Sequence, residues 1–156
     1  MKIKKLNFLL DVDGVLTDGT FYYDNKGKVL KKFGANDSDF LNLISHKFNI
    51  FFISSDRRGF SISKKRVNDM GYKIFYASNL NRYNFIKKKF DLSDLVFMGD
   101  SYHDIKILKN SKLGIAPKNA INEAKKAANF VTKNIGGKGA VVDACKYLSK
   151  KFNIKL

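Results

Sequence analysis

Apolar runs that stop on an acidic or hydroxyl-bearing residue constrain this chain more than any other feature. Leu6-Asn7-Phe8-Leu9-Leu10 ends at Asp11-Val12-Asp13-Gly14. Asn49–Phe52 runs through Ile53 into Ser54-Ser55-Asp56, and Leu95–Met98 closes on Gly99-Asp100-Ser101, with Asp104 following. Short apolar runs of this kind read as buried strands, and amphipathic stretches separate them. Helices are expected over Asp39–Phe48, Gly59–Gly71, Asn81–Phe90, Asp104–Asn110, Asn119–Ala128 and Val141–Phe152. Further strands are expected at Lys73–Tyr76, Lys112–Ile115 and Phe130-Val131. Strand and helix in alternation give a mainly parallel sheet between two helical layers, a Rossmann-like three-layer α/β sandwich.

One antiparallel element interrupts this order. Residues 19–33 carry two short extended arms around Asn25-Lys26-Gly27, the pattern of a β-hairpin inserted after the first strand. It is too small to act as a cap domain. The 156 residues contain a single proline and no Pro- or Ser-rich linker, so one domain over residues 1–156 is expected.

In an open parallel sheet, ligands bind beyond the carboxyl ends of the strands. Here that edge collects Asp11, Asp13, Ser54, Ser55, Asp100 and Asp104. Singly, each aspartate reads as a helix cap or turn residue. Together they repel unless a cation lies between them, and a hard divalent ion, Mg²⁺, is the natural occupant.

The segment Asp11-Val12-Asp13-Gly14-Val15-Leu16-Thr17-Asp18 resembles the signature of the haloacid dehalogenase superfamily of aspartate-nucleophile phosphatases, and Gly99-Asp100 with Asp104 resembles its acidic metal motif. The hairpin, Phe33 with Asp37, and Gly136-Gly137-Lys138-Gly139-Ala140-Val141 extend the likeness to nearly the whole chain. This combination is similar to the capless phosphatases acting on 3-deoxy-D-manno-octulosonate 8-phosphate, and to the phosphatase-like domain of some acylneuraminate cytidylyltransferases.

The resemblance implies Mg²⁺-dependent phosphomonoester hydrolysis through an aspartyl-phosphate. Asp11 would be the nucleophile and Asp13 the acid and base. Asp11, Asp13, Asp100 and Asp104 would serve the metal. Ser54, or Ser55 beside it, would hold a phosphoryl oxygen, and Thr17, Asp37, Ser55 and Lys138 would contact substrate, Lys138 from a neighbouring subunit. The substrate class is an acidic sugar phosphate, with a nonulosonate 9-phosphate as the alternative to the octulosonate. Two departures stand out. The superfamily lysine before the metal-motif strand is replaced by Arg82 or by Lys87 reaching in, and an Asp-Gly pair becomes Asp37-Ser38. These departures also leave room for a catalytically weak oligomerising module.

The net charge of +16 favours anionic partners, but the basic residues are spread along the chain without a long block, so neither nucleic acid nor membrane is the expected partner. The N-terminal apolar stretch is broken by Asp11 and is too short for a secretory signal. The single cysteine, Cys145, excludes an intramolecular disulfide, and a cytoplasmic setting is expected. Phe21, Tyr22, Tyr23, Val29 and Leu30 give the hairpin apolar edges that a homotetramer would bury.

Overall fold

A computed structural model describes residues 5–156, and the basic start at residues 1–4 lies outside the described residues. Among the described residues, eight strands and six α-helices follow in chain order. They are β1 (Leu6–Asp11), β2 (Tyr22–Asp24), β3 (Gly27–Leu30), α1 (Asn36–Ile44), β4 (Phe48–Ser54), α2 (Phe60–Asp69), β5 (Lys73–Tyr76) and α3 (Arg82–Lys89). Then come β6 (Leu95–Met98), α4 (Ile105–Asn110), β7 (Leu113–Ala116), α5 (Asn122–Ala127), β8 (Phe130–Val131) and α6 (Ala140–Lys151).

Six strands form one sheet in the order β5-β4-β1-β6-β7-β8, and every pairing is parallel. Alternation along each strand fills both faces. Phe8, Leu10, Phe52, Val96, Met98 and Ile115 enter one core, with Leu41, Val67, Val141 and Leu148 from α1, α2 and α6. Leu9, Ile53, Leu95, Phe97 and Ala116 enter the other, with Ile86, Ile107, Leu108 and Ala124 from α3, α4 and α5. Because both faces are covered, the central strands read as nearly unbroken apolar runs. The architecture is the Rossmann-like sandwich expected from the alternation of elements.

Boundaries moved where local chemistry outweighed periodicity. The helix expected over Asp39–Phe48 begins at Asn36, where Asp37 and Asp39 suit the positive N-terminal end of the dipole. It stops at Ile44, because Phe48 pairs with Leu6 as the first residue of β4. The helix expected over Asn119–Ala128 shrinks to α5, since the Asn119 side chain is recruited elsewhere. Its amide donates to the Gly14 carbonyl (2.9 Å) and its carbonyl accepts from the Gly136 N–H (2.7 Å). Asn119 therefore ties the glycine-rich tail to the loop after β1.

The hairpin stands apart as a two-stranded sheet. Its arms are shorter than expected, and Asp24 Oδ1 closes the turn by accepting the N–H groups of Lys26 (2.7 Å) and Gly27 (3.0 Å). It is the insertion that follows β1, and no cap domain occurs among the described residues. Nor is any helix among them long and apolar enough to cross a membrane.

Candidate active site

The register carries the strand ends to one place. Asp11 pairs with Ile53 on one side, while Leu10 pairs with Met98 on the other, so the residues following all three strands share one edge. Past β1 the chain curls tightly: the Val12 carbonyl accepts from the N–H groups of Val15, Leu16 and Thr17. Gly14 has φ of 87°, and a Cβ there would run into the Asp100 carboxylate, so only glycine lets the β1 and β6 loops close together.

Asp11, Asp100 and Asp104 each bring a carboxylate oxygen within 4.8 Å of the others. Arg82, the first residue of α3 and only 2% exposed, lies among them. Its Nε donates to Asp104 Oδ1 (2.9 Å) and its Nη1 to Ser55 Oγ (3.1 Å). Its Nη2 lies 2.9 Å from Asp11 Oδ1, an ion pair without hydrogen-bond alignment. Burial works against its charge, but Asp11 and Asp104 outweigh that effect and keep the guanidinium protonated. Asp104 Oδ2 accepts from the Asp100 and Ser101 N–H groups and from Ser101 Oγ. With its oxygens so engaged, Asp104 braces the loop that presents Asp100.

Three carboxylates against one guanidinium leave two formal negative charges, the complement of a divalent cation. Burial, followed by mutual repulsion, pushes the Asp100 carboxyl well above the ordinary carboxylate range. Burial likewise raises Asp11, where Arg82 only partly offsets it. Hard oxygen donors carrying excess negative charge fit a Mg²⁺-type ion, with Asp11 and Asp100 as the carboxylates to hold it.

A pH dependence follows for metal-free protein. The folded state binds protons at Asp11 and Asp100 that the unfolded chain, with carboxyls near 3.8, releases. Stability therefore falls as pH rises from about 4 through neutrality. The melting temperature in chelator is expected to drop across that range, and millimolar Mg²⁺ to restore it most at the alkaline end. A metal-independent, flat profile would contradict the arrangement.

A cavity of about 360 Å³ opens over the cluster, lined by Asp11, Asp13, Ser55, Asp56, Arg82 and Asp100 from the sheet side and by Phe21 and Lys28 from the hairpin. Of the residues singled out in the sequence, Ser54 is fully buried beneath it, with Oγ accepting the Asp56 N–H (3.1 Å), whereas Ser55 faces the cavity. Thr17 is also buried, and its Oγ1 accepts from the Gly14 and Gly19 N–H groups (3.2 Å each), holding the loop. Asp37 is 1% exposed at the start of α1, and burial lifts its carboxyl to about 6 against the pull of Arg66. Lys138 is exposed, and neither it nor Asp37 lines the cavity. Arg82, not Lys87, fills the cation position; Lys87 is exposed in the last turn of α3.

The hairpin residues escaped sequence reading. Lys31 Nζ lies 2.7 Å from Asp13 Oδ1 and donates to Asp13 Oδ2 (2.9 Å) and Ser63 Oγ (2.8 Å). Both Lys28 (2.5 Å) and Lys31 (2.8 Å) pair with Asp56 Oδ2. Burial disfavours the Asp56 charge, yet hydrogen bonds from both lysines and from the Gly59 N–H bring its carboxyl down to about 2. Nothing in the sequence sets these two lysines apart among thirty basic residues.

Residues 77–144 match the profile of haloacid dehalogenase-like hydrolases. The chain is 28% identical over 145 residues to the 3-deoxy-D-manno-octulosonate 8-phosphate phosphatase KdsC of Haemophilus influenzae, covering 89% of this chain and 80% of that protein. Against the same enzyme of Escherichia coli K12 it is 27% identical, covering 90% of this chain and 77% of the relative. The crystal structure of the Moraxella catarrhalis enzyme, in complex with magnesium, phosphate and KDO, superposes with a TM-score of 0.81 at 25% identity, covering 94% of this chain and 86% of that one. Fold, acidic cluster and these matches indicate a phosphatase, similar over residues 77–144 to the haloacid dehalogenase-like hydrolases. Among these enzymes it is similar to 3-deoxy-D-manno-octulosonate 8-phosphate phosphatases.

Proposed function

We propose that this phosphatase hydrolyses an acidic sugar phosphate with Mg²⁺, 3-deoxy-D-manno-octulosonate 8-phosphate before a nonulosonate 9-phosphate. The observation that carries the reading is the acidic cluster at the sheet edge, with Asp11 and Asp13 both facing one cavity across from Arg82. An Asp11 carboxylate oxygen attacks phosphorus, the bond from phosphorus to the sugar oxygen breaks, and Asp13 gives its proton to the departing alcohol. Water then attacks the aspartyl-phosphate, Asp13 takes the water proton, and inorganic phosphate leaves with Asp11 regenerated. Asp11, Asp100 and the Asp13 backbone carbonyl, with Asp104 behind them, would hold Mg²⁺, which would supply positive charge to offset the meeting of two anions. Arg82 and Ser55 hold phosphoryl oxygens, the guanidinium being suited to paired oxygens. Thr17 keeps the β1 loop in shape. A cytoplasmic setting suits the buried thiol of Cys145.

Phosphate release from the two ulosonate phosphates, compared with glucose 6-phosphate, tests the reading. Mg²⁺-dependent turnover is expected on all three, strongest with the octulosonate; preference for glucose 6-phosphate would overturn the substrate assignment.

We further propose a homotetramer closed through the hairpins, with Lys138 contributing to a neighbour's site. Tyr22, Tyr23 and Leu30 are 57%, 57% and 59% exposed on a hairpin with no sheet covering it. Light scattering at low micromolar concentration is expected to give about four times 17.8 kDa, and Leu30→Glu to reduce it. A wild-type monomer would remove this assembly and the Lys138 role with it.

A further inference from the structure

The hairpin also builds a wall of the cavity from within the same chain. Lys28 is a half-buried residue whose side chain is only 5% exposed, and its Nζ lies 3.4 Å above the centre of the Phe21 ring. Lys31 is more deeply buried, its side chain 0% exposed. Room for both comes from Gly59, where a Cβ would meet Lys28 Cδ and Lys31 Cε at 2.8 Å each. A lysine buried this far needs a reason beyond solubility, because desolvating an ammonium is costly unless anions face it.

Charge partners give that reason a direction. Asp56 Oδ2 is shared between the two ammonium groups, and Lys31 also engages Asp13. Lys28, Arg82 and His103 line the cavity; Arg82 sits with Asp11, Asp104 and Ser55, where the reading above places the phosphoryl oxygens. Lys28 comes from the hairpin, and among the described residues its carboxylate partner, Asp56, is already paired with Lys31. The run Asp13, Lys31, Asp56, Lys28 leads away from the group that protonates the departing alcohol. Lys28 is thus linked through Asp56 and Lys31 to the residue that would protonate the departing alcohol, and it lines the same cavity with its ammonium over the Phe21 ring.

We propose that Lys28 is a specificity-determining residue that binds a carboxylate carried by the alcohol part of the substrate. This rests on the phosphatase reading above and adds the group that selects among phosphomonoesters.

Three substrates separate the possibilities: 3-deoxy-D-manno-octulosonate 8-phosphate, glucose 6-phosphate and p-nitrophenyl phosphate. Lys28→Met keeps the aliphatic stem, and Asp56 retains Lys31 and the Gly59 N–H. The variant is expected to raise KM for the octulosonate about tenfold while kcat stays within about threefold, leaving kcat/KM for the two uncarboxylated substrates unchanged. Lys28→Arg should recover most of the loss. An unchanged octulosonate KM, or equal losses on all three substrates, would overturn the proposal; equal losses would make Lys28 an anchor of the hairpin.

A binding measurement stands apart from turnover. Calorimetry with the free octulosonate acid should give binding weakened about tenfold in Lys28→Met and in Lys28→Gln, the latter retaining a hydrogen-bond donor for Asp56. No binding to wild type at millimolar acid, or equal affinity in wild type and both variants, would overturn it. Failure of the phosphatase reading looks different: wild type would release no phosphate from any of the three, whatever the calorimetry shows.

Discussion

Asp11→Asn is expected to abolish phosphate release, lowering kcat by at least about 10³-fold, because an amide cannot form the covalent phosphoryl intermediate. The loss should be specific to chemistry. Asp11 is 7% exposed among Asp100 and Asp104, and an uncharged amide there removes repulsion as well as one partner of Arg82, which keeps Asp104. The melting temperature in chelator should stay within about 3 °C of wild type, roughly 1 kcal/mol for a chain this size. Turnover near the wild-type rate would remove Asp11 as nucleophile and with it the aspartyl-phosphate route.

Arg82→Ala is expected to do the greatest structural damage of any single change at the site. Arg82 compensates two buried carboxylates and holds Ser55, joining the first turn of α3 to the ends of β1 and β4. Removing one partner of a buried ion pair costs about 3–5 kcal/mol, because the remaining charges stay buried and unpaired. At this chain length that corresponds to a fall of roughly 10 °C in melting temperature. The deficit should grow as pH rises, since protonation relieves Asp11 only on the acid side. Lys restores the charge but not a planar fork spanning three partners, so Arg82→Lys should recover part of the stability and little of the activity. A variant as stable as wild type at pH 8 in chelator would show that the guanidinium is not the group compensating the cluster.

Much of the site lay in plain view because its residues sit at strand ends. Asp11, Ser55 and Asp100 follow apolar runs whose burial is dictated by composition, and a parallel sheet aligns such ends without further information. Arg82 was legible as a candidate from its position at a helix start, yet only packing chose it over Lys87, five residues on and on the outer surface. Ser54 and Ser55 show the limit of a strand-end argument. Neighbouring side chains point to opposite faces, so the choice between a buried bracket and a cavity wall turns on a single residue of register.

The hairpin lysines were illegible for another reason. Lys28 and Lys31 reach Asp56 and Asp13 across 28 and 18 residues of chain, and no local propensity signals a contact of that span. Asn119 is similar: it is ordinary in sequence but bridges Gly14 and Gly136 at the centre of the loop layer.

What the sequence determined by itself was the alternation of elements, the parallel sheet and the acidic edge, because hydrophobic periodicity and strand-end chemistry are local and repeat along the chain. The tertiary structure alone decided which cation neutralises the cluster, which serine faces the cavity and how the hairpin closes one wall, because each depends on charges brought together from distant segments in a low-dielectric interior, where pairing is obligatory.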